Sequence, residues 1–386
     1  MSFEEIPIAF CENGAGYGGA VVSLAAFLEN VPADFVPHIY TGIGSDEYRK
    51  LESLGAWRHM PPISFVSHAW LKSHGIPFAS MLDNICNLLP YALRYYFAFK
   101  RDGIKIVYLN NDASCNMAAA IAAKLAGLPL VLHARGFNAD TKGNRWVISK
   151  LDHCIAVSTA VKTELISLGL SRAKCTVVPE GLNMAIFHPR QPSEHLRREL
   201  GLNSVQAVIT LVGGLIDWKG QDVLLDACPM ILEKFPNAQI LLVGSAYGKS
   251  NAFANMIRER VASSEFKDNV SLLGARNDIP DILSISTVVL HASTKPEPFG
   301  RTFLEGMAMG KPVIASKEGG PLDVIEHEVD GLLIEPRNAA TLANAINRLL
   351  LDSDFAEFLG KNAAKKSSAY SIESHTKAIS TILRAI

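Results

Sequence analysis

Two glutamates stand with seven residues between them in the run Lys295-Pro296-Glu297-Pro298-Phe299-Gly300-Arg301-Thr302-Phe303-Leu304-Glu305. Two prolines and a glycine predict a loop that turns into a helix, which Gly310 and Pro312 then stop. Unpaired N–H groups near Gly300, Arg301 and Thr302 would face whatever lies beyond the preceding strand, read at residues 287–291. Such a helix start suits a diphosphate, because free amides and the helix dipole both favour negative charge. Glu297 sits in the loop and Glu305 about one turn inside the helix, so the two carboxylates could accept hydrogen bonds from opposite ends of one extended, hydroxyl-bearing ligand. A lone glutamate in such a place more often caps or solvates its helix.

The pairing, set between Pro-Phe-Gly and Gly310-Lys311-Pro312-Val313, resembles the E-x7-E signature of retaining GT-B glycosyltransferases, notably family 4. The resemblance continues through Ile314-Ala315-Ser316-Lys317-Glu318-Gly319-Gly320 and Gly331-Leu332-Leu333-Ile334-Glu335-Pro336. It implies that Glu297 holds hydroxyls of a donor sugar and is catalytic, that Glu305 holds the ribose of a nucleotide, and that the amides of Phe299, Gly300, Arg301 and Thr302 meet the sugar and diphosphate. The Arg301 side chain is a candidate phosphate ligand, with solvent as its alternative.

A second element, Leu211-Val212-Gly213-Gly214-Leu215-Ile216-Asp217-Trp218-Lys219-Gly220, reads as a strand, a glycine turn and a lysine ahead of a helix. Lys219 can act as a point charge on phosphate, or simply be a surface lysine. The family shows Gly-Arg five positions before Lys-Gly; here Gly214 replaces the arginine, so one usual cation is missing. Turns after two further strands, Gly244 to Gly248 and Gly274-Ala275-Arg276, are where the family wraps the nucleobase, which puts Arg276 on that side; ordinary strand-to-helix turns look the same.

Near the start, Gly14-Ala15-Gly16-Tyr17-Gly18-Gly19 has the form G-x-G-x-x-G. A nicotinamide site would need an acid at the end of the second strand, and that strand ends in Tyr40-Thr41. The glycines are therefore expected to form a loop over the diphosphate or acceptor, Gly18 and Gly19 matching the family's paired glycines, with a ligand-free tight turn as the alternative. His133 ends a strand, where an imidazole is more often structural; its position resembles the family's catalytic histidine near the transferred sugar. Asn110, Asn111 and Asp112 follow another strand and are acceptor-side candidates. Glu180-Gly181 reads as a turn. The run from Leu88 to Arg101 mixes aromatics with basic residues and reads as a packed crossover helix with a basic end, an interfacial helix being the lesser alternative.

These pieces need elements to carry them. Short apolar runs alternate with amphipathic helices along the chain, the pattern of parallel sheets covered by crossover helices. Strands are expected at 6–11, 35–40, 104–109, 128–133, 153–157 and 176–178, then at 207–212, 239–243, 270–273, 287–291 and 312–315. The proline-bearing stretch 183–193 reads as a linker. The fold class is α/β: two Rossmann-like doubly wound domains facing a crevice, residues 1–185 on the acceptor side and 186–370 on the nucleotide-sugar side. Residues 371–386 form a helix that, by the resemblance, crosses back to the first domain.

With 37 basic and 38 acidic residues, net charge -1, the chain has no general attraction for nucleic acid. Six scattered cysteines and no D-x-D cluster predict neither a zinc site nor a metal-held diphosphate; no cofactor is expected. The opening Met1-Ser2-Phe3-Glu4-Glu5 lacks a secretory pattern, so a cytoplasmic place is expected, with peripheral membrane contact left open. The expected function is transfer of a sugar from a UDP- or GDP-sugar to a hydroxyl of a glycan or lipid-linked acceptor, with retention and without metal. An epimerase or phosphorylase on the same fold, and a weakly catalytic sugar-nucleotide-binding protein, are the alternatives.

Overall fold

The computed structural model describes residues 5–386 except 15, 17, 77, 204, 205 and 247–250. Of the sequence expectations, Gly248 of one turn, Ala15 and Tyr17 of the glycine run, and the opening residues 1–4 lie outside the described residues. The chain divides into two units, Met1–Gly181 with Ile372–Ile386, and Leu182–Ser371.

The first unit holds a seven-stranded sheet of β1 (Ile6–Glu12), β2 (Phe35–Thr41), β3 (Ala56–His59), β4 (Ile106–Asn111), β5 (Leu130–Ala134), β6 (His153–Ala156) and β7 (Cys175–Val177). Their order is β3-β2-β1-β4-β5-β6-β7, and every described pairing is parallel. Parallel neighbours need crossover helices, and these bury both faces, which is why the strands read as unbroken apolar runs. Ile8, Phe10, Tyr108, Val131 and Ile155 form the core with Leu24 and Phe27 of the helix Gly19–Glu29. The C-terminal helix Ile372–Arg384 adds Ile379 and Leu383 to that core, and Arg384 Nη2 reaches Asp34 Oδ1 at 2.8 Å.

The second unit holds β8 (Val208–Val212), β9 (Gln239–Val243), β10 (Val270–Gly274), β11 (Val288–His291), β12 (Val313–Ser316) and β13 (Leu332–Ile334) in the order β10-β9-β8-β11-β12-β13, again parallel. Its core joins Ile209, Leu211, Ile240 and Leu290 to Leu224, Ala227 and Ile231 of the helix Gln221–Leu232, the stripe that periodicity marks. Two strands were not expected from sequence, β3 and β13. Ala56–His59 is an edge strand with no buried residue and presents no apolar run, while Leu332–Ile334 is apolar but only three residues long, between Gly331 and Glu335.

In each sheet the strand order reverses once, between β1 and β4 and between β8 and β11. Crossovers leave in opposite directions there and open a gap at the carboxyl edge, where ligands of doubly wound sheets bind.

Candidate functional site

At the β8/β11 reversal the loops beyond both strands are packed onto each other. Gly220 has φ +79, and a Cβ there would lie 1.9 Å from the Ala292 carbonyl oxygen; Thr294 N–H donates to Trp218 O at 2.8 Å. This contact brings Lys219 to Glu297. Lys219 Nζ donates to Glu297 Oε1, while His291 Nε2 lies 2.6 Å and Ser293 Oγ 2.6 Å from Oε2. Glu297 is therefore a buried carboxylate with both oxygens engaged. Burial alone would raise its pKa, but His291 and Lys219 more than offset it and hold the group well below the usual carboxylate range.

The loop carrying Glu297 is clamped from its other side. Glu297 bridges to Gly319 in parallel fashion, Gly320 N–H donates to Glu297 O at 2.9 Å, and a Cβ on Gly320 would lie 2.4 Å from Phe299 Cα. Gly300 caps the helix Arg301–Ala308 with φ +96 and offers no side-chain acceptor. The same absence of a side-chain cap recurs at Gly220, before Gln221–Leu232, and at Gly18, before Gly19–Glu29. By contrast Ser158, Ser193 and Asn338 cap helices elsewhere with their side chains. Helix starts without a side-chain acceptor at a carboxyl edge leave first-turn amides to a ligand. The glycine at position 300 is also fixed from beneath, since a Cβ there would lie 2.6 Å from His291 Nε2.

Glu305 is buried in that helix; Arg301 Nε lies 3.8 Å from its Oε1, and no described residue hydrogen-bonds its carboxylate. Burial raises its pKa and Arg301 opposes that only in part. A desolvated carboxylate in this condition gains from two hydroxyl donors such as a ribose diol. The Arg301 side chain, read from sequence as facing phosphate or solvent, lies along its own helix toward Glu305. Phe299 is buried and packs on Phe303, so only its backbone is offered. Arg276 is not open: it pairs with Glu199 at 2.8 Å and Asp278 at 2.6 Å, tying the β10 turn to the helix Glu194–Glu199. Gly220, Gly244 and Gly300 are among the described glycines in the left-handed region, and Gly214 is not.

At the β1/β4 reversal the structure assembles a network that sequence reasoning missed. Glu12 ends β1 and takes Gly14 N–H on Oε1 at 2.7 Å and Asn110 Nδ2 on Oε2. Arg135 Nε donates to Asn110 Oδ1 at 2.8 Å and its Nη1 to Glu180 Oε1 at 2.6 Å. Burial raises the Glu12 pKa, and the donations from Asn110 and Gly14 offset only part of it. Glu180 is thus more than a turn residue, and Gly181 beside it lies where a Cβ would meet His375 Cβ at 2.6 Å. Of the acceptor-side candidates, Asn110 is fully buried in this network, Asn111 holds φ +81, and Asp112 Oδ1 caps a turn through Cys115 N–H at 3.0 Å. Gly18 and Gly19 lie above, with nothing within 4 Å of a Cβ built on either.

His133 is not at an open edge. It has no exposed surface: β5 runs on to Ala134, Tyr108 hydroxyl bonds its Nδ1, and the ring of His375 covers it at 5.8 Å. Burial, then Arg135 and His375, push its pKa well down. The strand-edge rule that singled out His133 applies better to His291, which ends β11, and to Ser293 just beyond it, and both reach a site carboxylate. The sequence signal for them was a histidine and a serine just before the Lys295-Pro296-Glu297 loop.

Comparison with known proteins places these sites in context. The family model described as Glycosyl transferases group 1 matches residues 192–366, and that described as Glycosyltransferase Family 4 matches 17–185. Spore coat protein SA of Bacillus subtilis is 32% identical over 209 residues, 52% of this chain and 55% of that one. The lipopolysaccharide core biosynthesis mannosyltransferase LpsB of Rhizobium meliloti is 25% identical over 262 residues, 67% of this chain and 73% of its own. The chain spans about half the length of several curated relatives it matches, 55% and 56% for two of them. Among solved structures, Anabaena HepE in complex with UDP and glucose superposes with a TM-score of 0.81 at 25% identity, covering 98% of this chain and 99% of that one.

Proposed function

The chain belongs to the group 1 glycosyltransferases and has their GT-B fold of two Rossmann-like domains, and from that premise we propose that it transfers a sugar from a UDP- or GDP-sugar to a hydroxyl of a glycan or glycolipid, with retention of configuration and without a metal ion. The observation that carries this reading is the ionised, buried Glu297 held by Lys219, His291 and Ser293 beside the glycine-capped helix Arg301–Ala308. The first-turn amides take the diphosphate, Glu305 takes the ribose diol, and Glu297 orients the sugar hydroxyls. UDP is supported by the ligand of the HepE structure.

The anomeric carbon–oxygen bond to phosphate breaks while the acceptor oxygen bonds the same face, and the acceptor proton passes to the departing phosphate oxygen. Glu297 has both oxygens engaged, which suits a fixed acceptor of hydrogen bonds better than a nucleophile. The charge that builds on the diphosphate meets Lys219 and the helix amides. His133 and Asn110, fully buried, act through the groups they position.

Isothermal titration with UDP-glucose and GDP-mannose tests the assignment. Glu305→Ala and Lys219→Ala should each weaken nucleotide-sugar binding by on the order of 1.5–3 kcal/mol, the worth of a charge-assisted hydrogen bond. Unchanged affinity in both folded variants, or no binding by the wild type, removes the reading. Transfer should persist in excess chelator; a loss restored by manganese contradicts metal independence. Gly214, standing where the family has an arginine, favours one second reading, a sugar-nucleotide-binding protein without turnover, and tight donor binding with no release of nucleoside diphosphate would select it.

A further inference from the structure

Three consecutive helical segments, Ala79–Asp83, Asn84–Leu88 and Leu89–Arg101, carry large apolar side chains, and the last is apolar on two sides. The inner side is accounted for: Tyr91, Ala92, Tyr95, Ala98 and Phe99 are buried, Tyr91 hydroxyl donates to Met60 O at 2.6 Å, and Phe99 packs edge-on to Tyr40. The outer side is not covered. Met81, Ile85, Leu89, Leu93 and Phe97 recur every fourth residue and are all exposed, Phe97 by 66%. A strict four-residue repeat drifts by about 40° per step on an α-helix of 3.6 residues per turn. The middle segment, Asn84–Leu88, is a π-helix, and its wider turn offsets part of that drift, so the five exposed side chains form one broad band. Phe78, 73% exposed, and Trp70, 55% exposed, belong to the same part of the chain.

An exposed run of large apolar side chains this long marks an interaction site, so the uncovered face needs an occupant. Charge indicates which. Residues 65–101 carry Lys72, Arg94, Lys100 and Arg101 against Asp83 alone, in a chain whose totals are 37 basic and 38 acidic. Asp102, next in line, is already bridged by Arg58 and Arg101. A second copy of the chain docked on this face would bring four more cations and only one more acid into the contact. No helix among the described residues is long and apolar enough to cross a bilayer. Bulky apolar and aromatic side chains beside basic ones on a helix that does not span are the composition of an interfacial helix.

We propose that this face binds the surface of a membrane containing anionic phospholipid, the stripe entering the headgroup layer and Arg94, Lys100 and Lys72 meeting lipid phosphates. Binding requires neither donor nor acceptor. Joined to the transferase reading, on which this last step rests, it makes the acceptor lipid-linked.

The test is co-sedimentation of the full chain with vesicles of phosphatidylcholine alone and of phosphatidylcholine with phosphatidylglycerol in equal parts. The mixed vesicles should be bound about tenfold or more tightly than the neutral ones, and less so as salt rises. The combined variant Phe78→Ser, Ile85→Ser, Phe97→Ser should lose binding to both by about tenfold or more, and Arg94→Glu with Lys100→Glu should lose the preference for the anionic mixture. All five side chains are exposed, so thermal melts should match the wild type; a variant that melts early is replaced by its single substitutions. A wild type that stays in the supernatant overturns the proposal, as does a triple variant that partitions equally. So does a wild-type dimer that the triple variant dissociates, which would make the stripe a self-interface. Since no nucleotide is present, failure here leaves the transferase reading standing, and failure to bind nucleotide sugars leaves this one.

Discussion

Single side chains in this protein divide into those held for a ligand and those held for the fold, and burial separates them less well than partnership does. Glu297 and His133 are both buried, yet Glu297 is ionised with three donors around it while His133 is kept neutral between Tyr108 and His375. The pKa of His133 is pushed well below its ordinary 6.5, so the unfolded chain binds this proton in a pH range where the folded chain does not. Stability contributed this way is complete above about pH 6.5 and falls as the pH drops below it, by at most about 1.4 kcal/mol per pH unit for one proton. Urea unfolding between pH 7 and pH 5 should show that fall, and His133→Gln should flatten it. An equal slope in both would mean that other groups set the acid sensitivity. The lowered Glu297 acts in the same direction further down the pH scale, its contribution being lost as the pH falls below the ordinary carboxylate value.

Glycines between elements serve two different ends. At Gly320 the backbone is helical, φ -58 and ψ -36, and alanine would fit the torsions, but its Cβ would lie 2.3 Å from Phe299 O. Gly320→Ala should therefore cost about 1–3 kcal/mol by overpacking alone and shift the loop that carries Glu297. Gly19→Ala makes the opposite case, because its Cβ would stand in open space at the start of a helix. That change should leave stability unaltered or raised by up to about 1 kcal/mol. Denaturation curves give both numbers, and a Gly320→Ala protein as stable as the wild type would show that the clamp on the Glu297 loop is loose. A stable Gly19→Ala that transfers poorly would mark the position as one that a ligand approaches.

At the scale of the whole molecule, the chain leaves its first unit, builds the second and returns. The ends of the second unit are pinned to each other, Leu182 N–H donating to Tyr370 O at 2.9 Å beside the Leu182–Ser371 bridge. Among the described residues, its core clusters draw on side chains between 196 and 359. The core of the first unit instead needs Ile379 and Leu383 from the returning helix. A fragment of residues 182–371 should consequently fold alone and melt cooperatively, whereas residues 1–181 without 372–386 should lose a large part of their stability, each missing core side chain costing about 2–5 kcal/mol. Circular dichroism melts of the two fragments decide this; a stable 1–181 fragment would make the returning helix an ornament of the first unit.

The sequence by itself determined the parallel α/β pattern, because strands buried on both faces must be short apolar runs and crossover helices must show one apolar stripe. It also marked Glu297, Glu305, Lys219 and the glycine-led helix starts, since these lie within one or two elements and their spacing is local. Only the tertiary structure decided what they touch. Lys219 and Glu297 are 78 positions apart and Arg135 and Glu180 are 45 apart, and nothing local to any of them encodes the partner. The same reason hid the edge strand Ala56–His59, and it set His133 against a helix that begins 239 positions further on, counting from 133 to 372. For a related cause the sequence offered the outer face of the helix Leu89–Arg101 only as the lesser, interfacial alternative. A sequence lists apolar residues on both sides of such a helix without saying which side the sheet takes, and packing against Tyr40 and Met60 took one and left the other bare.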